Sequence, residues 1–219
     1  INNLHMEKAQ IESKSKEIAE YFKRYWTSYA DPAFDRTFSL RNWATIMATI
    51  ILCYNKNKNN IKNDNENNKN KNDDYENKLK NTLKNKKILH MGCGYGYFLE
   101  VVKSLNAVPF GIEPYCSFPE NLGIVKAKAE DLQDNNSELS RKLNNEKFNA
   151  IVAHDFFLFS ILISKENAHK IIKSLKKYLN KNGVMVFENM NEETLLEKDE
   201  IEKLGFKARY SLKEGIKDY

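Results

Sequence analysis

The chain has 219 residues, 41% of them hydrophobic and 30% charged, with a formal net charge of +5. That length suits one sizeable core, with or without an appendage, since single domains run to roughly 100–200 residues. Lys and Glu are interleaved, so the dense basic stripe that tracks a phosphate backbone is missing and nucleic acid is disfavoured as a partner. Cys53, Cys93 and Cys116 lie far apart with no CxxC pair, and no secretory leader is expected. This spacing argues against a disulfide framework and a zinc site, and for a reducing cytoplasm.

In chain order, Glu7 to Arg24 predicts an amphipathic helix presenting Ala9, Ile11, Ile18, Tyr21 and Phe22. A turn is expected near Asp31 and Pro32, then a second helix capped by Ser39 and carrying Trp43, Ile46, Met47, Ile50 and Ile51. The apolar run Trp43 to Tyr54 falls short of the roughly 20 residues that cross a bilayer, so no membrane span is expected. Tyr25, Trp26, Tyr29, Phe34, Phe38 and Trp43 fit either core or a lid over an acceptor; their helical spacing favours core.

From Asn55 to Asp74 the chain is Asn, Lys, Asp and Glu around a single Ile61, too polar to offset the entropy of ordering, so a disordered spacer is expected. The expected organisation is thus a helical segment 1–54, an insert 55–74 and a main domain 75–219.

After a short helix, Tyr75 to Leu83, strand-like and helix-like segments alternate, as in a parallel sheet covered by helices. The predicted strands are Lys87–Met91, Val108–Glu113, Ile124–Ala127, Asn149–His154, Gly183–Glu188 and Phe206–Leu212. Predicted helices are Gly96–Leu105, Glu138–Leu143, Lys165–Leu179 and Glu193–Leu204, with Gly183 and Gly205 just past helix ends, where a positive φ is wanted.

KKILHMGCGYGYF runs from a buried strand through Gly92, Gly94 and Gly96 into an apolar helix start, the order a nucleotide loop needs. Glu113 closes the next strand about 20 residues on, where a carboxylate can take two ribose hydroxyls. A dinucleotide loop would favour a third glycine at the place of Tyr97, so a phosphate-free adenosine ligand suits this spacing better than NAD.

On these residues the chain resembles the class I S-adenosylmethionine-dependent methyltransferases. The resemblance covers about Lys86 to Leu212 and continues through FGIEP, KAKAEDL, FNAIVAHDFF, LNKNGVMVFEN and LGFKARY. It implies an α/β fold, a Rossmann-like doubly wound and mostly parallel sheet with helices on both faces, here preceded by N-terminal helices. It implies S-adenosylmethionine as cofactor and S-adenosylhomocysteine as product. Gly92, Cys93, Gly94 and Gly96 would lie under the methionine part, Glu113 and Pro114 would hold the ribose end, and Ala129, Glu130 and Asp131 would line the adenine.

His90 stands where the family usually has an acidic residue for the cofactor's ammonium group, and a protonated imidazole there would repel that cation. Lys128 or, after a small register shift, Glu130 or Asp131 takes the family's acidic place after the third strand. His154 and Asp155 follow the fourth strand and are expected at the cleft, with His154 as candidate general base. HDFF replaces the Asn-Pro-Pro-aromatic loop of base-amine methyltransferases, which points to a small-molecule acceptor, through oxygen, or to a protein side chain. The alternative is a catalytically impaired methyltransferase-like binding or partner subunit.

Overall fold

The computed structural model describes residues 2–26, 36–58, 71–154, 164–188 and 203. The chain divides into two compact units, Ile1–Lys86 with Glu100–Val108, and Lys87–Leu99 with Pro109–Tyr219. The turn near Asp31 and Pro32, most of the Asn/Lys-rich insert, the strand Phe206–Leu212, Gly205 and nearly all of the helix Glu193–Leu204 lie outside the described residues.

In the first unit, helix α1 (Asn2–Trp26) buries Ile11, Ser15, Ile18 and Phe22, spaced four, three and four apart along one face. That stripe packs against α2 (Arg36–Lys58), where Trp43, Ala44, Ile46, Met47, Ala48, Ile50 and Ile51 are all buried. A helix apolar on every side belongs inside a core. Polar ties include the Ser15 and Thr45 hydroxyls, which meet at 3.0 Å, and Tyr21, which reaches Ser104 at 3.3 Å. Helix α3 (Lys71–Leu83) adds Leu79 and Leu83, one turn apart.

Two expectations change here. Helix α2 starts at Arg36, so Ser39 lies inside it rather than at its cap, and α2 and α3 run into both ends of the insert. Once a helix is nucleated, each added residue gains a hydrogen bond, so Asn and Lys can extend a turn that they could not start.

The second unit holds a five-stranded parallel sheet: β1 (Lys87–Met91), β2 (Val108–Ile112), β3 (Ile124–Val125), β4 (Phe148–His154) and β5 (Leu179–Glu188). Their order is β3-β2-β1-β4-β5, the doubly wound arrangement, with chain direction reversing its march between β1 and β4. Alternation along β1 faces both layers. Leu89 and Met91 join the cluster formed with α5 (Glu138–Lys142) and α6 (Lys165–Lys176), while His90 meets Phe98 of α4 (Tyr97–Ser104) edge-on at 5.1 Å. β4, flanked by β1 and β5, is buried at Phe148 and from Ala150 to Ala153, as a strand covered on both faces must be.

β5 begins earlier than its sequence suggests. Between the pairs Phe148–Leu179 and Ala150–Val184 it carries three extra residues, and Gly183 sits inside the strand without a positive φ. What it needs is space: a Cβ there would lie 2.8 Å from Leu179. The Asn and Lys of this stretch read as a helix end, whereas the extra residues are absorbed as an irregularity in the strand.

Candidate active site

The ligand crevice of a doubly wound sheet lies beyond the carboxyl ends of the strands flanking the reversal, here β1 and β4. β1 leads directly into the glycine loop, in which Gly92, Gly94 and Gly96 all have positive φ, at 64°, 54° and 83°. The loop is pinned to β2: Gly92 N–H and Cys93 N–H donate to Ile112 O at 2.8 and 3.3 Å, and Gly96 N–H closes the turn onto Cys93 O at 3.0 Å. Gly96 must lack a side chain for a second reason, since a Cβ would stand 2.7 Å from Leu122 and 2.9 Å from Ile124. At Gly94 the opposite holds, with no atom within 4 Å of where a Cβ would be. The loop therefore leaves open room above its middle glycine.

Glu113 follows β2 directly and is buried, 6% exposed. Its main chain is fixed by donating to Val125 O at 3.1 Å. Oε2 accepts from Gly94 N–H at 3.0 Å, and Oε1 accepts from Tyr115 N–H at 2.8 Å and Cys116 N–H at 3.3 Å. The carboxylate and the glycine loop thus open on the same spot. Tyr115 and Cys116 had no role in the sequence reading, because a backbone donor leaves no mark on residue type.

Cys93 is buried, its sulfur lying 2.6 Å from where a Cβ on Gly111 of β2 would be. Glycine inside a strand often marks such close approach, and FGIEP carried that signal. Burial, reinforced by the Glu113 carboxylate and by Cys116, pushes the Cys93 thiol up to about 12. Burial and Glu113 raise Cys116 as well. Neither thiol is poised as a nucleophile at neutral pH.

Pro114 is half-buried in the turn between Glu113 and Tyr115. After β3, a 3₁₀ turn (Ala129–Gln133) buries Ala129 and leaves Glu130 half-buried. Asp131 is engaged locally: its Oδ2 accepts Lys128 N–H at 3.0 Å and its main-chain O accepts Ser137 Oγ at 2.7 Å. His90 is buried against Phe98. His154 ends β4, one step past the Met91–Ala153 pair and so level with the start of the glycine loop. Its side chain is outside what the structure describes, as is the whole of Asp155.

These groups fit a nucleoside. A buried carboxylate can take sugar hydroxyls, open space lies over Gly94, and Tyr97 starts α4 where a pyrophosphate loop would want glycine. Among the described residues no group of three or more His, Cys, Asp or Glu is placed to hold a metal, and no helix is long and apolar enough to cross a membrane.

A family model described as a methyltransferase domain matches residues 65–215, well over half of the chain. The chain belongs to this methyltransferase family. Sheet order and family membership together make it a class I, S-adenosylmethionine-dependent methyltransferase domain. No curated protein matches the chain. Among solved structures, this methyltransferase domain is similar to the magnesium protoporphyrin IX methyltransferase of Synechocystis PCC 6803, at 12% identity and a TM-score of 0.42, over 89% of this chain and 83% of that one. It is also similar to DesVI of Streptomyces venezuelae, at 20% identity and a TM-score of 0.35, over 53% of this chain and 48% of that one. For the sugar N-methyltransferase KedS8 of Streptoalloteichus sp ATCC 53650 the values are 11% and 0.34, over 58% and 57%. The chain spans about half the length of DesVI and KedS8. At such scores these likenesses stand beside the assignment, and the family match carries it.

Proposed function

We propose that this protein transfers a methyl group from S-adenosylmethionine to an oxygen of a small-molecule acceptor. The observation that supports this most is the 3.0 Å bond from Gly94 N–H to Glu113, which joins a side-chain-free cradle to a buried sugar-binding carboxylate at one strand-end crevice. In this reading Glu113 and Pro114 hold the ribose, Gly92, Cys93, Gly94 and Gly96 form the bed for the methionine part, and Ala129, Glu130 and Asp131 border the adenine. His90, as a neutral imidazole, accepts a hydrogen bond near the ammonium group; protonated, it would repel it.

When bound, S-adenosylmethionine supplies a methyl carbon made electrophilic by its sulfonium. The chain's task is then alignment of the acceptor, which can supply much of the acceleration in a displacement of this kind. His154 serves as general base for the acceptor hydroxyl, with Asp155 beside it.

The second reading is a catalytically impaired binding or partner subunit, motivated by His90 at the end of β1 in place of a carboxylate. Calorimetry with S-adenosylhomocysteine at about 1 mM tests the common premise, and absence of binding sinks the enzyme reading. A labelled-methyl screen of a cell extract separates the rest: label in small molecules supports this proposal, label in protein makes the acceptor a polypeptide, and binding without transfer leaves the partner subunit. Glu113→Ala is expected to weaken S-adenosylhomocysteine by about 1–3 kcal/mol, the cost of stranding buried donors.

A further inference from the structure

Among the described residues three large apolar side chains are exposed: Tyr95 at 58%, Val108 at 36% and Tyr115 at 72%. Val108 opens β2, whereas both tyrosines stand past the carboxyl end of a strand, in the two segments that meet at Glu113. Single exposed apolar residues are ordinary on a protein surface, but two large rings beside one crevice are what a ligand site presents. Tyr95 is held between Gly94 and Gly96, whose φ values of 54° and 83° set the course of the loop, and its ring lies 6.0 Å from that of Tyr97 with 39° between their planes. The two rings form one aromatic surface. From Ile88 to Leu99 the chain has no Asp, Glu, Lys or Arg, so this wall offers neither a cation for a carboxylate nor a carboxylate for the hydroxyls of a sugar.

We infer that Tyr95 and Tyr97 form the wall against which the methyl acceptor stacks, and that this acceptor is a planar aromatic ring bearing the hydroxyl, a phenol rather than a sugar or an aliphatic acid. The inference rests on the proposed function for the place of the methyl group. A sulfonium joins the ribose to the methionine part, so with Glu113 at the one and the glycine loop under the other, the methyl carbon belongs near the bond between Gly94 and Glu113, and Tyr95 is the residue after Gly94. A ring laid against a tyrosine gains by offset or edge-on packing as well as by burying area, and a stacked ring presents its hydroxyl in one orientation. In the transfer the phenol oxygen forms its bond to the methyl carbon as the carbon–sulfur bond breaks, and the phenol's proton passes to His154.

Binding is measured first, by ligand-observed NMR on the full chain loaded with S-adenosylhomocysteine, with p-cresol, naphthol, methyl glucoside and hexanoate as probes. The two phenols should bind and the other two should not. Tyr95→Ala should weaken naphthol by about 10-fold and Tyr95→Phe by less than about 2-fold, while S-adenosylhomocysteine changes by less than about 3-fold in both. Tyr95 is exposed, so its ring can be removed without opening the core. Phenols that fail to bind, or that bind Tyr95→Ala as tightly as wild type, overturn the inference, as does a preference for methyl glucoside or hexanoate. An equal loss for S-adenosylhomocysteine in Tyr95→Ala overturns it too, since the ring would then belong to the cofactor.

Transfer of a labelled methyl group then separates the wall from the reaction. Label on p-cresol or naphthol supports both, whereas phenols that bind through Tyr95 without taking label keep the aromatic wall and overturn its use by an acceptor. If S-adenosylhomocysteine does not bind at all, the proposed function fails, and naphthol binding to the free chain, kept or lost in Tyr95→Ala, still decides the wall.

Discussion

The interface of α1 with α2 and the surroundings of Glu113 are ordered by opposite means. In the first, large side chains such as Phe22, Ile18 and Ile50 are wholly buried. In the second, main-chain donors from two loops converge on one buried carboxylate. Apolar packing is roughly proportional to area and tolerates compensation, whereas a shared acceptor is directional and fails if one atom is changed. Global stability should therefore be set by the helices and the strand core, and the shape of the crevice by a handful of hydrogen bonds.

The contrast can be broken at its strong end first. Phe22→Ala removes a fully buried ring from α1 and should cost about 3–5 kcal/mol in denaturant unfolding. A loss under about 1 kcal/mol would mean that the α1–α2 layer adds little to the fold. Next comes Gly96→Ala, which forces a Cβ into a φ of 83° and against Leu122. A destabilisation of about 2 kcal/mol is expected, reported as a lowered thermal midpoint, and a neutral result would show that Leu122 gives way freely.

The smallest effect is a pH dependence at Cys93. Its thiol is raised from 9.0 to about 12 in the folded protein, so the unfolded chain loses that proton first as pH rises. Stability from this group is complete below pH 9 and is lost toward pH 12, with about 1 kcal/mol going between pH 9 and 10. Urea unfolding of wild type against Cys93→Ala across that interval isolates the contribution; identical slopes for the two proteins would show that the thiol is not held neutral by its surroundings.

Much of the fold was legible because the pattern was local. β1 has the expected bounds, since its apolar run is bracketed by lysines and a glycine, and the parallel sheet follows from strand and helix alternation. β5 was harder, because three extra residues rich in Asn and Lys look like a turn until their pairing with β4 is known. At the site, the glycines and Glu113 could be picked out as residue types about 20 positions apart. Their connection through Gly94, Tyr115 and Cys116 could not, because backbone N–H groups are the same in every residue but proline. Asp131 carried a second ambiguity: an acidic side chain after a strand can face a ligand or, as its bond to Lys128 N–H shows, secure its own turn.

β3 has one more effect. It forms one margin of the described sheet and is only two residues long, with exposed Lys126 immediately after it. So brief a margin offers a neighbouring molecule almost no ladder to extend, and a cation beside it discourages approach. Crowding such proteins together should not zip their sheets into a continuous one along this rim.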